Sequence, residues 1–285
     1  MQKDQGGPYG PSHVNATQPP GTKKNRSESL AGHLTEVALS YQRALERNPN
    51  HPEALIGMSL VALASRQTEP AMKMAKAGVA AAPGMVTAWV ALGQALKAAG
   101  QTAEAEQAYT QAIRLDGTDA LAHFGLGELR LALERPEEAR REFELALRRN
   151  PALAGAHLGL GNALALMERD TEALEHYEQA LALRPRLPEA EFAAGFVLAR
   201  LGNTKEAETR YRRALAERPD FAAAWMNLGS LLREQGREAY AEAALRRALE
   251  LRPDLVSGWI NLAALERDRS RPEEAEKHLR KALEL

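Results

Sequence analysis

The sequence predicts an all-α protein, built as a solenoid of stacked antiparallel helix hairpins. The first observation behind this prediction is a 34-residue repeat that runs without insertions over most of the chain. Prolines mark it at Pro49, Pro83, Pro151, Pro185, Pro219 and Pro253. Gly117 fills the rung of this ladder where proline is missing. A repeat of this length is typical of arrays in which each unit packs against its neighbours.

Small residues recur with the same period, which is the second observation. One ladder is alanine throughout, at Ala71, Ala105, Ala139, Ala173, Ala207, Ala241 and Ala275. Another is mostly glycine, at Ser59, Gly93, Gly127, Gly161, Gly195, Gly229 and Ala263. A third holds Gly78, Ala112, Ala146, Ala180, Ala214, Ala248 and Ala282. Because small side chains let helix backbones approach closely, each hairpin can stack on the next.

Two amphipathic helices are predicted in each repeat, which is the third observation. Apolar residues fall at three- and four-residue spacing in two runs of about a dozen residues. The stretch PEEA at Pro136 and again at Pro272 marks the start of a second helix, because proline suits the first helical position and acidic residues suit the helix N-terminus. The ladder proline then ends that helix. One hairpin cannot bury its apolar face alone, but a stack of hairpins forms a continuous core.

This pattern resembles the tetratricopeptide repeat, whose motif is W-x2-L-G-x2-Y followed by Ala, Phe, Ala and Pro. One copy is carried by Trp89, Leu92, Gly93, Ala105, Tyr109 and Ala112, and another by Trp225, Leu228, Gly229, Ala241, Ala248 and Pro253. The tyrosine of the first helix is replaced at Leu96, Leu164, Leu198 and Leu232, and by the polar residues Arg130 and Glu266. The resemblance implies a right-handed superhelix and a non-catalytic protein–protein interaction adaptor.

The chain is predicted to have three parts. Residues 1–28 are rich in Pro, Gly and polar residues and are predicted to be a flexible tail. Residues 29–51 are predicted to form a capping half-repeat helix. Seven repeats follow, at 52–85, 86–119, 120–153, 154–187, 188–221, 222–255 and 256–285.

The composition excludes several classes of function. Lys and Arg number 37 against 38 Asp and Glu, a formal net charge of -1, so we expect no binding to nucleic acid. The chain has no cysteine and therefore no thiolate nucleophile or cysteine metal site. We find neither a signal peptide nor an apolar run long enough to span a bilayer. We therefore expect a cytoplasmic protein that does not insert into membranes.

No constellation in the sequence predicts catalysis, a cofactor or a metal. GLGELR from Gly125 and GLGNAL from Gly159 imitate dinucleotide-binding loops, but each lacks the third glycine and a preceding strand. His123, His157 and Glu191 occupy the rung that holds Trp89, Trp225 and Trp259, which we call the tryptophan rung. Adjacent helices stand on the order of 10 Å apart, too far for three ligands to share one zinc ion. We predict a polar, partly exposed seam there.

The predicted functional surface is the concave groove of the solenoid. In similar proteins the first helix of each repeat lines it, so residues one, five and eight places after the tryptophan rung should face inward, since steps of four and three keep to one helix face. The candidates from this rule are Ile56, Leu60, Val90, Gln94, Lys97, Phe124, Glu128, Leu131, Leu158, Asn162, Phe192, Phe196, Met226, Ser230, Arg233, Ile260 and Arg267. Asn227 and Asn261, two places after the rung, join them. These two asparagines resemble the asparagine-lined groove of O-linked N-acetylglucosamine transferases.

We hypothesise that an extended, partly apolar peptide binds in this groove. Its anchors would be Phe124, Phe192, Phe196 and Met226, with its backbone or an acidic group near Asn227, Asn261, Arg233 and Arg267. The clamp that binds a C-terminal carboxylate in chaperone adaptors of the family this pattern resembles needs Lys and Asn at positions where this chain has Ile, Val, Phe and Leu. A partner held by its C-terminal carboxylate is therefore disfavoured. Three alternatives stay open. In the first, the chain is a scaffold that self-associates through its uncapped C-terminal helix. In the second, it is the repeat portion of a larger enzyme such as a glycosyltransferase. In the third, the chain's own tail, with Tyr9, occupies the groove.

Overall fold

The computed structural model describes residues 22–285, with side chains from residue 35 onward. The regular secondary structure of this range is entirely α-helical, as predicted from the sequence. A long helix α1 (Thr22–Arg47) comes first. Seven helix pairs follow: α2 (Pro52–Ala64) with α3 (Thr68–Ala81), α4 (Val86–Ala98) with α5 (Thr102–Leu115), α6 (Ala120–Ala132) with α7 (Pro136–Arg149), α8 (Ala154–Leu166) with α9 (Asp170–Leu183), α10 (Pro188–Arg200) with α11 (Thr204–Glu217), α12 (Ala222–Glu234) with α13 (Glu238–Leu251), and α14 (Val256–Asp268) with α15 (Pro272–Leu283).

The start of α1 corrects one predicted boundary. Helix α1 begins at Thr22, whereas the sequence predicts a flexible tail to residue 28 and a helix from residue 29. Residues 22–28 contain no proline or glycine, and their Lys, Arg and Glu favour helix. The run of prolines and glycines that marks the tail ends at Gly21. The rest of the predicted tail, residues 1–21, lies outside the described residues.

The helices form two layers. Helices α2, α4, α6, α8, α10, α12 and α14, the first helices of the repeats, contact one another in succession along the chain. Within the described range the second helices contact only first helices, their own and that of the next repeat. The first helices therefore lie closer together and form the inner layer of the curve.

An aromatic ladder on the second helices explains the glycines of the first helices. Tyr109 is fully buried, and a Cβ placed on Gly93 of its own repeat would lie 2.7 Å from its ring. A Cβ on Gly125 of the next repeat would lie even closer to the same ring. Phe143 occupies the same position in the following repeat, against Gly127 and Gly159. The GLG stretches of α6 and α8 therefore serve helix packing.

Candidate functional site

All nineteen predicted groove residues lie on first helices, and most of them are partly or fully exposed. Phe196 is 46% exposed, and Leu60 and Ile260 are exposed to a similar degree. Ile56 and Val90 are buried, at 8% and 5% exposed, yet both line a cavity between α2 and α4. Ile56 packs with Ala88 and Ala91 of the next first helix, so it contributes to the interface between repeats. These two positions therefore combine packing between repeats with a place on the cavity lining.

The predicted aromatic anchors are only partly available to a partner. Phe124 packs against the core of the central repeats, and its ring lies 6.1 Å from that of Phe143. Phe192 lies between the rings of Tyr211 and Phe221, at 5.9 and 4.7 Å. Met226 also packs against the core. Phe196 is the anchor whose ring is most exposed.

Three cavities open along the inner layer. The first, of about 300 Å³, lies between α2 and α4, with Gly57 and Ala91 on its floor. The second, of about 500 Å³, lies between α8 and α10 and is lined by Leu166, Phe192 and Phe196. The third, of about 260 Å³, lies between α10 and α12. The second cavity is also lined by Leu131, Asn162, Glu168, Tyr177 and Arg200, and the third is lined by Phe196, Arg200, Tyr211, Asn227, Ser230 and Glu234.

Phe196 and Arg200 form a shared wall between the second and third cavities. The guanidinium of Arg200 lies 5.4 Å from the centre of the Phe196 ring, a distance that allows a cation–π interaction. It also forms two hydrogen bonds with Asp170 and one of 3.0 Å with the carbonyl oxygen of Ala165. These contacts fix the position of the wall.

The groove asparagines form internal hydrogen bonds. The Tyr177 hydroxyl donates to Oδ1 of Asn162 at 3.0 Å. The Asn261 amide donates to the carbonyl oxygen of Ser257 at 3.0 Å and approaches Sδ of Met226 at 3.4 Å. Burial raises the pKa of Tyr211 to about 12, partly offset by its hydrogen bond with Asn227.

The basic residues of the groove are already paired with acidic ones. Lys97 forms an ion pair with Glu128 of the next first helix. Nη1 of Arg233 lies 2.6 Å from Oδ2 of Asp268, and Arg267 approaches the same carboxylate at 3.6 Å. Arg233, which we predicted to hold an acidic group of a partner, is therefore neutralised within the protein.

Two acidic groups in this region have no basic partner among the described side chains. Glu168 lines the second cavity from the turn after α8. Glu234 lines the third cavity and is 3.5 Å from the Ser230 hydroxyl. The central groove therefore presents two unpaired carboxylates near the exposed ring of Phe196.

Several lining residues lie outside the set predicted from the sequence. Leu166, Arg200 and Glu234 lie nine places after the tryptophan rung, one step of four beyond the predicted five-place position. Extending the helical spacing by one step would have identified them. Tyr177 and Tyr211 come from second helices, and the period alone carried no signal that they reach the cavities.

The polar members of the tryptophan rung do not meet one another. Each pairs with the residue 19 places later on its own second helix: His123 with Glu142, His157 with His176, and Glu191 with Arg210. No cluster of three potential metal ligands occurs within residues for which side chains are described. His123 and Glu191 are buried, so the predicted partly exposed seam holds only at His157.

The outer face of α15 is exposed. Leu283 is 87% exposed, whereas Leu249, its equivalent in the preceding repeat, is 7% exposed. Leu279 is also exposed, and its equivalent Leu245 is fully buried. In the preceding repeats the next first helix covers these positions, and nothing in the described range covers them on α15.

None of the helices described here has an apolar stretch long enough to cross a membrane.

The fold has close counterparts among solved structures. The chain is 19% identical to a protein of the APC/C hetero-tetramer Cut9–Hcn1, with a TM-score of 0.76 over 88% of this chain and 49% of that one. It therefore spans about half of that protein's length. A tetratricopeptide repeat protein from Parabacteroides merdae is 18% identical, with a TM-score of 0.62 over 82% and 92% of the two chains. YrrB, described as a TPR protein with an unusual peptide-binding site, is 24% identical, with a TM-score of 0.52 over 65% and 95%.

Sequence comparisons identify the family. No curated protein sequence matches the chain. Models of the tetratricopeptide repeat match residues 90–154, 124–188, 192–256 and 260–285. These ranges cover well over half of the chain, and its helix pairs have the arrangement that the family's repeat requires. The chain belongs to the tetratricopeptide repeat family.

Proposed function

We propose that this protein is a non-catalytic adaptor that binds an extended segment of a partner protein in its concave groove. One observation carries the proposal: two adjoining cavities lie along the inner layer and share the exposed ring of Phe196. A large aromatic side chain left exposed beside a recess offers apolar area that a partner can bury. An extended segment suits this surface because the cavities follow one another from helix to helix.

The similarity to YrrB supports the same class of function. YrrB is described as having a peptide-binding site, and the two folds superpose over most of its length. At 24% identity this likeness concerns the fold, so the proposal depends on the cavities of this chain.

Phe196→Ala tests the proposal in a crosslinking pull-down from the native cell. Tyr240→Ala is a matched control, because Tyr240 is an exposed aromatic residue on α13, outside the groove, with an arginine 5.2 Å from its ring centre. We expect Phe196→Ala to remove partners that wild type and Tyr240→Ala retain. The same partner set with all three proteins would count against groove binding.

A second candidate function is self-association through α15, favoured by the exposure of Leu283 and Leu279. Light scattering over a concentration series tests it. A mass that rises with concentration in wild type but not in Leu283→Lys supports self-association. A constant monomer mass in both would reject it.

A further inference from the structure

We infer that the segment bound by the central groove carries a bulky apolar side chain with a basic residue nearby, rather than an acidic one. This inference rests on the proposed function and adds the chemistry of the partner. It concerns the second and third cavities, on the two sides of Phe196.

The apolar part of the recognition comes from the second cavity. Leu166 and Phe196 are both largely exposed, and Phe192 closes the recess behind them. The volume of about 500 Å³ is ample for a side chain the size of Leu, Met or Phe. Such a side chain would remove apolar area from water on both partners, which is the general driving force for binding at a concave site.

The preference for a basic residue on the partner follows from which charged side chains in this region are already paired within the protein. Arg200 is held by Asp170 through two hydrogen bonds, and Arg233 is held by Asp268. An acidic group on the partner would have to displace one of these carboxylates. Glu168 and Glu234 have no basic partner to displace, so a lysine or arginine can pair with either one directly.

The spacing of the two carboxylates fits an extended segment. Glu168 follows α8 and Glu234 lies on α12, so the two carboxylates flank α10, which carries Phe196, each about one helix spacing, on the order of 10 Å, from it. An extended chain rises about 3.3 Å per residue, and alternate side chains share a face. A basic residue two or three positions from the apolar anchor therefore reaches the level of a neighbouring cavity.

Three synthetic peptides test this inference on the full chain by fluorescence polarisation. They have the sequences GSKSFSKSG, GSQSFSQSG and GSDSFSDSG, each with a fluorophore at the N-terminus. We expect the lysine peptide to bind about tenfold more tightly than the glutamine peptide at low salt, and the aspartate peptide more weakly than both. The advantage of lysine should shrink as salt is added, because exposed charges are screened.

The double substitution Glu168→Gln and Glu234→Gln sharpens the test. It should bring the lysine peptide to the affinity of the glutamine peptide and leave the glutamine peptide unchanged. The matched control is Glu69→Gln with Glu175→Gln, two exposed glutamates on second helices, which should change nothing. Circular dichroism of each variant verifies that the helices are intact.

The outcomes separate the two proposals. Equal binding of the lysine and glutamine peptides, or tighter binding of the aspartate peptide, would overturn the inference and leave groove binding in place. Failure of all three to bind, while a random peptide library is captured in a Phe196-dependent way, would also overturn it. Failure of that library as well would overturn the proposed function itself.

Discussion

The third and fourth repeats place histidine at the same rung and use it in opposite ways. In both, Nε2 of the histidine lies 3.1 Å from the carbonyl oxygen six residues earlier, at Gly117 for His123 and at Pro151 for His157. Trp89 makes the same contact, with its indole N–H donating to the carbonyl oxygen of Pro83 at 2.8 Å. Histidine therefore replaces tryptophan as the donor to the preceding turn.

The second helix decides what the other side of the imidazole meets. In the third repeat Glu142 lies 2.6 Å from Nδ1 of His123 and also accepts from Arg130 at 2.8 Å. The hydrogen bond with Glu142 raises the pKa of His123. In the fourth repeat the partner is His176, at 3.1 Å between the Nδ1 atoms of the two rings. Burial, together with the nearby His157, lowers the pKa of His176.

The position 19 places after the tryptophan rung, on the second helix, therefore sets the local electrostatics of the third, fourth and fifth repeats. Where the rung holds tryptophan, that position can be small, as in Trp89 with Ala108 and Trp225 with Ala244. Where the rung holds Glu191, the position holds Arg210. Size and charge are therefore matched in the second to sixth repeats, while the 34-residue period stays unchanged.

Glu142→Ala should destabilise the third repeat and have the largest effect. We expect it to lower the free energy of unfolding by about 2 to 3 kcal/mol, because it leaves His123 and Arg130 without their buried acceptor. Chemical denaturation with hydrogen exchange of α6 and α7 would measure it. Glu144→Ala is the control, since its pair with Arg140 is partly exposed and should contribute less than about 1 kcal/mol. Equal losses in the two variants would contradict this account.

The double substitution His157→Trp and His176→Ala should stabilise the fourth repeat by about 1 to 2 kcal/mol. It copies the pairing of the second and sixth repeats, and an indole would bury apolar area in the cavity of about 490 Å³ beside the two histidines. Its N–H can donate to the Pro151 carbonyl oxygen, as Trp89 does to that of Pro83. The thermal midpoint measures the gain. His157→Trp alone, which retains His176, should gain less.

His176→Glu should convert the fourth repeat to the electrostatics of the third, with an effect of about 1 kcal/mol between pH 6 and pH 8. A carboxylate beside His157 should raise the pKa of that histidine. A raised pKa contributes stability that is present below about pH 6.5 and is lost as the pH rises through the folded-state value. Denaturation at several pH values checks the sign. A variant that gains stability with rising pH in this window would oppose the prediction.

In the wild type the two repeats should respond to pH with opposite signs, which is the smallest of these effects. His123 should titrate above about pH 6.5, so its stabilisation fades as the pH rises through its folded-state pKa. His176 should titrate below about pH 6.5, so the fourth repeat loses stability as the pH falls from there toward its folded-state pKa. Histidine NMR titration measures both values. Coincident titrations would show that the difference between the partners has no electrostatic consequence.

Several features of the fold follow from the sequence because they depend on size and spacing. A first-helix residue that packs against the ring of Tyr109 or Phe143 has to be small, so the ladder of glycines appears in the sequence itself. The two-helix repeat follows from apolar spacing in the same direct way. The start of α1 differs from the prediction. The Pro- and Gly-rich composition of the tail ends at Gly21, whereas the predicted tail ran several residues beyond it, into α1.

The sequence by itself determined the helices, the repeat and the residues that lie on the inner layer. Only the tertiary structure decided which of these residues meet. Lys97 forms an ion pair with Glu128, Arg200 with Asp170 and Arg233 with Asp268. The two residues of each pair are about one repeat apart in sequence, but their spacing is not fixed. Such pairs depend on the offset and rotation between neighbouring helices, which arise from packing along the whole interface and are not encoded in a period.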